Sequence, residues 1–367
     1  MCGPSRSCAA MTDAKQSVGL LCSDARLVEY YVRLITKVER FELKGVLSNV
    51  VTSIGRVDSY ADMVRIPDFT GVLQLMLEHL KAFLIDSTIW CPDAERSIQL
   101  AADNDVPSVS HTAYQLISRA DTQTVIIAGH PSHNALFCVQ AQASKKSVIC
   151  IGAAALTIEC ARVMAEFASR FASPTQVIYP LKYSSPFAVL RSSLNRIGTL
   201  QNVYVESTFE ARICEKERLC YDASTSLHKY GHELIDALAS LCSVQQPRPI
   251  AVTHRERSSV VDHFRLHELD TAHMQIGFGS LVATIRLTAS STDSLSVRIR
   301  GDSGTLHMDT DTLLLDRLDG QSVLWRGDGT VESMIRDGAL NALNADKLLD
   351  GPTELSLVHC ISTSLLQ

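Results

Sequence analysis

Between Thr124 and Glu166 the chain reads TVIIAGHPSHNALFCVQAQASKKSVICIGAAALTIECARVMAE, and no other segment restricts its fold as much. Two short apolar runs, Thr124 to Ala128 and Ser147 to Ile151, flank a segment of helix length. Strands that lack polar alternation are those buried on both faces, as in a parallel sheet. The pattern predicts strand, loop, helix, strand, helix, which is a βαβ unit. Similar alternation precedes it. Phe41 to Val51 predicts a first strand, Thr52 to Val57 its turn, Val72 to Lys81 a helix and Ala82 to Trp90 a second buried strand. Asp93-Ala94-Glu95-Arg96 then opens a helix that Val106-Pro107 ends. Regular alternation of this kind forms a doubly wound parallel sheet with helices on both faces.

After about Phe171 the pattern changes. Val177 to Tyr179, Val203 to Ala211, Ile250 to His254, Gln275 to Thr288, Ser294 to Arg300 and Thr305 to Asp316 predict strands that follow one another through hairpin-like turns such as Gly301-Asp302-Ser303-Gly304. Helices are expected at Pro186 to Arg196, Thr225 to Cys242 and Leu340 to Leu366. This is an α+β region on a largely antiparallel sheet that helices cover on one face. In Gly279 to Thr288, Leu281, Ala283 and Ile285 alternate with Val282, Thr284 and Arg286, so neither face is strongly polar. That predicts a homo-oligomer through the sheet. The expected division is a poorly ordered extension over 1–25, a nucleotide-binding type of domain over 26–170, and the α+β domain over 171–367.

Composition narrows the function classes. With 46% hydrophobic and 20% charged residues, 367 residues suffice for two globular domains. The net charge of −6 and the lack of a basic run leave no nucleic-acid footprint. The 11 cysteines are scattered singly, without C-x-x-C pairs or zinc spacing, and read as reduced thiols of a cytoplasmic protein without a metal site. No apolar run reaches the roughly 18 residues of a membrane span, and Met1 to Lys15 is unlike a signal peptide. Neither a H-E-x-x-H nor a G-x-S-x-G motif occurs.

The βαβ unit, with Ala155-Leu156-Thr157-Ile158-Glu159 after it, Arg196-Ile197-Gly198-Thr199-Leu200 and Gly301-Asp302-Ser303-Gly304-Thr305-Leu306, resembles in order and spacing the Gfo/Idh/MocA family of NAD(P)-dependent oxidoreductases. The likeness runs from about Phe41 to the C-terminus. It implies a Rossmann-type domain, an α+β partner domain, NAD or NADP as cofactor, a small-molecule ligand and a homodimer.

The motifs that carry the family's chemistry are altered. The fingerprint glycines of a dinucleotide turn align with Val50, Thr52 and Gly55, of which only the packing glycine remains. β-Branched side chains at the first two places oppose the close approach of pyrophosphate to bare backbone. The acidic ribose-binding place falls near Cys91, and the Thr-Pro pair beside the cofactor is replaced by Gly129-His130-Pro131. His130 and His133 sit at the strand edge where α/β folds place ligands. Where the family has E-K-P, whose lysine touches nicotinamide and substrate, the chain reads Ile151-Gly152-Ala153.

The family's D-x-G-x-H-x-x-D motif is matched by Lys229-Tyr230-Gly231-His232-Glu233-Leu234-Ile235-Asp236. Gly231 and Asp236 fit; the first Asp is Lys229 and the catalytic His is Glu233. His232 lies one residue early, a rotation of about 100° on a helix. His232, Lys229 and Lys182 are the candidates for substitute catalytic roles, and each also reads as an ordinary structural or solvated side chain. Three functions are open. The chain is a non-catalytic ligand-binding or scaffolding relative with weak or lost dinucleotide binding, an active NAD(P)-dependent dehydrogenase of a sugar or polyol working through substitute residues, or a structural subunit of a larger assembly.

Overall fold

In a computed structural model the structure describes residues 15–22, 25–39, 41–48, 99, 102–107, 113–129, 131–210, 223–243, 246–261, 264–327, 329–345 and 357–358. The first sheet holds β1 (Gln16–Cys22), β2 (Phe41–Ser48), β3 (Thr124–Ala128), β4 (Ser147–Ile151) and β5 (Thr175–Ile178), all parallel, in the order β2-β1-β3-β4-β5. Its helices include α1 (Ala25–Lys37), α2 (Ala113–Ser118), α3 (Pro131–Ala143) and α4 (Ile158–Arg170). The βαβ unit lies where its sequence places it, and every residue of β3 is buried. Pro131 opens α3, where its missing N–H costs nothing. Thr157 caps α4 by accepting from the Cys160 N–H at 3.2 Å, with Glu159 in the first turn and Arg170 in the last.

Two expectations fail here. Residues 16–22, assigned above to an unordered extension, form strand β1 between β2 and β3, with Val18, Leu20, Leu21 and Cys22 buried. Phe41–Ser48 is therefore the second strand and not the first, and lies at the end of the strand order among the described residues. The run QSVGLLC carries a glycine and follows a Ser/Cys-rich stretch, which hides its strand character. The glycine is a packing device: a Cβ on Gly19 would lie 3.1 Å from Leu116 Cγ in α2. The turn, helix and strand expected over 49–98 lie outside the described residues.

The region beyond the parallel sheet begins later than expected, because Val177 belongs to β5, which pairs with β4. A 3-10 turn (Pro180–Tyr183) leads into α5 (Ser185–Ser193), then a second 3-10 turn (Leu194–Ile197) and β6 (Leu200–Glu210). There follow α6 (Ala223–Leu241), β7 (Arg248–Val261), β8 (Phe264–Phe278), β9 (Leu281–Ser290), β10 (Ser294–Gly301), β11 (Thr305–Met308), β12 (Thr312–Arg317), β13 (Gly320–Arg326) and α7 (Val331–Asn344). The eight strands run β13-β12-β11-β10-β6-β9-β8-β7, antiparallel except for the parallel pair β6–β9. Gln275 to Thr288, expected as one strand, is a hairpin that turns at Gly279, whose φ of +64° suits glycine. Thr305 to Asp316 is likewise two strands, and β13 was not anticipated.

One face of this sheet is covered by helices. Leu234, Ile235 and Leu238 of α6 share a core with Met274, Ile276 and Ile285 of the sheet. Burying each such side chain contributes roughly 1.5–3 kcal/mol. Along β9 buried residues alternate with exposed or half-buried ones, the mark of a sheet with one open face. Helix α7 turns back to the first sheet: Ala339, Ala342 and Leu343 pack with Tyr31, Leu34 and Ile35 of α1.

Candidate functional site

Open parallel sheets bind ligands at the carboxyl ends of their strands, where the strand order reverses. Here the chain passes from β1 outward to β2 and returns on the other side to β3, so the switch point lies between β1 and β3. Their last residues, Cys22 and Ala128, are register partners, and Ala128 in turn pairs with Ile151 of β4. The turn that a dinucleotide would need thus joins β1 to α1 and reads Cys22-Ser23-Asp24-Ala25. Ser23 and Asp24 lie outside the described residues. Val50, Thr52 and Gly55, aligned above to the fingerprint, follow β2 in sequence and lie outside the described residues. Across this turn the residues at fingerprint spacing are Cys22, Asp24 and Leu27, none of them glycine.

At the ends of β3 and β4, Asn134 ties two loops together. Its Nδ2 donates to Gly129 O at 3.2 Å and to Ala153 O at 2.8 Å, and the side chain is 1% exposed. Gly152 has a φ of +84°, and its N–H donates to Ile178 O at 2.8 Å. Among the described residues, a Cβ built there would meet nothing within 4 Å. The position that the sequence aligns with the family's lysine is thus bare backbone, with no described residue near a side chain there. His130, Thr52, Gly55 and Cys91 lie outside the described residues, as do the side chains of His133 and Lys229.

The remaining candidates converge on the segment after β5. His232 is fully buried, with Nδ1 3.0 Å from Tyr179 Oη and the two rings edge to face. Lys182, 4% exposed, places Nζ 3.1 Å from Asp236 Oδ1. Burial raises the Asp236 pKa to about 6 against the pull of Lys182, so desolvation outweighs the ion pair. Asp236 Oδ2 has no hydrogen-bond partner among the described residues. Glu233, where the family motif has histidine, accepts the Leu181 N–H on Oε2 at 3.0 Å. The structure therefore gathers His232 and Lys182, but in buried pairs with Tyr179 and Asp236. Asn134 was missed by the sequence reading because an asparagine in a helix carries no motif.

No protein-family model and no curated protein sequence matches the chain. Solved structures do match over nearly its whole length. An oxidoreductase from Agrobacterium radiobacter, in complex with NAD+, L-tartaric acid and magnesium, has a TM-score of 0.70 at 11% identity over 96% of each chain. Biliverdin reductase from Synechocystis, in complex with biliverdin and NADP+, has a TM-score of 0.66 at 15% identity over 95% of this chain and 97% of that one. UDP-N-acetylglucosamine 3-dehydrogenase from Acidithiobacillus ferrooxidans has a TM-score of 0.65 at 13% identity over 96% of each. The chain has the two-domain fold of the Gfo/Idh/MocA-type oxidoreductases.

Proposed function

We propose that this chain is a diverged protein on an oxidoreductase scaffold, with weakened or lost dinucleotide binding, that serves as a ligand-binding or scaffolding protein. The observation that carries this reading is the fate of two catalytic places. The lysine place is Gly152, with no side chain, and the histidine place is Glu233, whose carboxylate is engaged by the Leu181 amide. Hydride transfer needs a held nicotinamide, a proton acceptor at the substrate hydroxyl and a cation to orient it. His232 and Lys182 are poorly disposed to substitute, being buried against Tyr179 and Asp236.

The sequence of the β1–α1 turn supports the same conclusion. A helix N-terminus favours an anion, and phosphate fills that role in dinucleotide sites. Asp24 immediately precedes α1 in the sequence and adds an acidic residue just ahead of that end of the helix. Titration with NADH and NADPH, followed by fluorescence, tests the reading. The expected result is no saturation at micromolar nucleotide; a dissociation constant of about 10 μM or tighter would refute it. In the same reading the open face of the second sheet joins two copies. Val282 is 43% exposed there, amid half-buried Thr284 and Arg286. Light scattering should give about twice the chain mass of 40.2 kDa, and the monomer mass would count against it.

A further inference from the structure

The chain leaves the parallel sheet through Tyr179–Ser185, and two helices hold this crossing with the same spacing. From α6 come His232, Glu233 and Asp236, at i, i+1 and i+4. They meet Tyr179 Oη, the Leu181 N–H and Lys182 Nζ at 3.0, 3.0 and 3.1 Å. From α7 come Asp337, Gly338 and Asn341, again at i, i+1 and i+4. Asp337 Oδ2 accepts the Ser185 N–H at 2.5 Å, and Asn341 Nδ2 donates to Tyr183 O at 3.0 Å. Between them Gly338 lets the backbones touch: a Cβ there would lie 2.0 Å from Pro180 O. Such spacing places three residues within one helical turn.

We propose that the crossing is a two-helix clamp, a joint and not a hinge, in which Glu233 and Asp337 are the positioning residues. Chain crossings between domains are ordinarily exposed and poor in contacts, which is what permits hinge motion. Here Pro180, Leu181, Lys182 and Tyr183 are all buried. A hinge must change φ and ψ, and doing so here would break charge-assisted hydrogen bonds to two backbone amides at once. Arg191 adds a further tie, donating from Nη2 to Lys182 O at 2.6 Å. The clamp also accounts for Glu233: at this place a carboxylate accepts the Leu181 N–H from the crossing. The clamp depends on these contacts alone, whatever the nucleotide titration shows.

Hydrogen exchange on the full chain, resolved to single amides by mass spectrometry, tests the clamp. Rates at Leu181 and Ser185 are read as ratios to amides within β10, so that any global loss of stability cancels. In the wild type both amides should exchange as slowly as those of β10. Glu233→Ala should raise the ratio at Leu181, and Asp337→Ala that at Ser185, each on the order of 10- to 100-fold. Glu233→Gln keeps an acceptor oxygen and should restore protection to within a few-fold. Fast exchange at Leu181 and Ser185 in the wild type, or an unchanged ratio in both alanine variants, would overturn the proposal.

Discussion

The phenol oxygen of Tyr179 lies 3.0 Å from Nδ1 of His232, with the tyrosine 2% and the histidine 0% exposed. This pair joins the segment after β5 to α6 and commits the imidazole to the core. Buried polar groups are costly when a partner is removed. Tyr179→Phe keeps the ring and removes the hydroxyl, so it should cost about 1–3 kcal/mol. The midpoint of urea denaturation is the measurement, and an unchanged midpoint would show that the two groups are not coupled.

Asp236 supplies a pH dependence with a definite sign. Its pKa is raised from 3.8 to about 6, chiefly by burial. The folded state therefore holds this proton more tightly than the unfolded chain does. Its contribution to stability is fully present below about pH 4 and is lost as pH rises through about 6. A shift of this size corresponds to about 1–3 kcal/mol after allowance for the coupling to Lys182. Urea denaturation from pH 4 to pH 7.5 should show the fall in the wild type and a flatter profile in Asp236→Asn. Equal slopes in the two proteins would remove Asp236 as its source.

The sequence made the βαβ unit and the change to successive strands legible, since both rest on local periodicity. Ser147–Ile151 and Thr124–Ala128 occur at the expected residues. Strand β1 was not legible, because Gly19 and Cys22 weaken its propensity and its strand character depends on burial between β2 and β3. The grip of α7 on the crossing was equally hidden. Asp337 and Asn341 lie more than 150 residues beyond their partners Ser185 and Tyr183, and no local pattern reports such pairs.

Two glycines should respond differently to alanine. At Gly338 a Cβ would overlap Pro180 O at 2.0 Å, so helix and crossing must separate. Overpacking of this kind costs about 1–3 kcal/mol, and exchange at Tyr183 and Ser185 should rise with it. At Gly152 a Cβ would meet none of the described residues but φ is +84°, so the cost is backbone strain of roughly 1–2 kcal/mol without loosening of the crossing. Thermal unfolding and exchange together separate the two effects; a loosened crossing in Gly152→Ala would contradict the assignment.

The β1–α1 turn offers the most direct handle on nucleotide binding. At fingerprint spacing this turn carries Cys22 and Asp24 where a dinucleotide turn has glycines, and Asp24 immediately precedes α1 in the sequence. Asp24→Gly removes the charge and admits close approach of a phosphate. Cys22→Gly then restores the tight turn at the end of β1. With the rest of the cleft intact, Asp24→Gly should tighten NADH or NADPH binding by roughly tenfold, which is about 1.4 kcal/mol. The double variant should do better still, at some cost in stability because Cys22 is fully buried in the sheet. Fluorescence titration of the wild type and both variants is the check. If neither variant gains affinity, the obstacle to the nucleotide lies elsewhere in the cleft and the turn is acquitted.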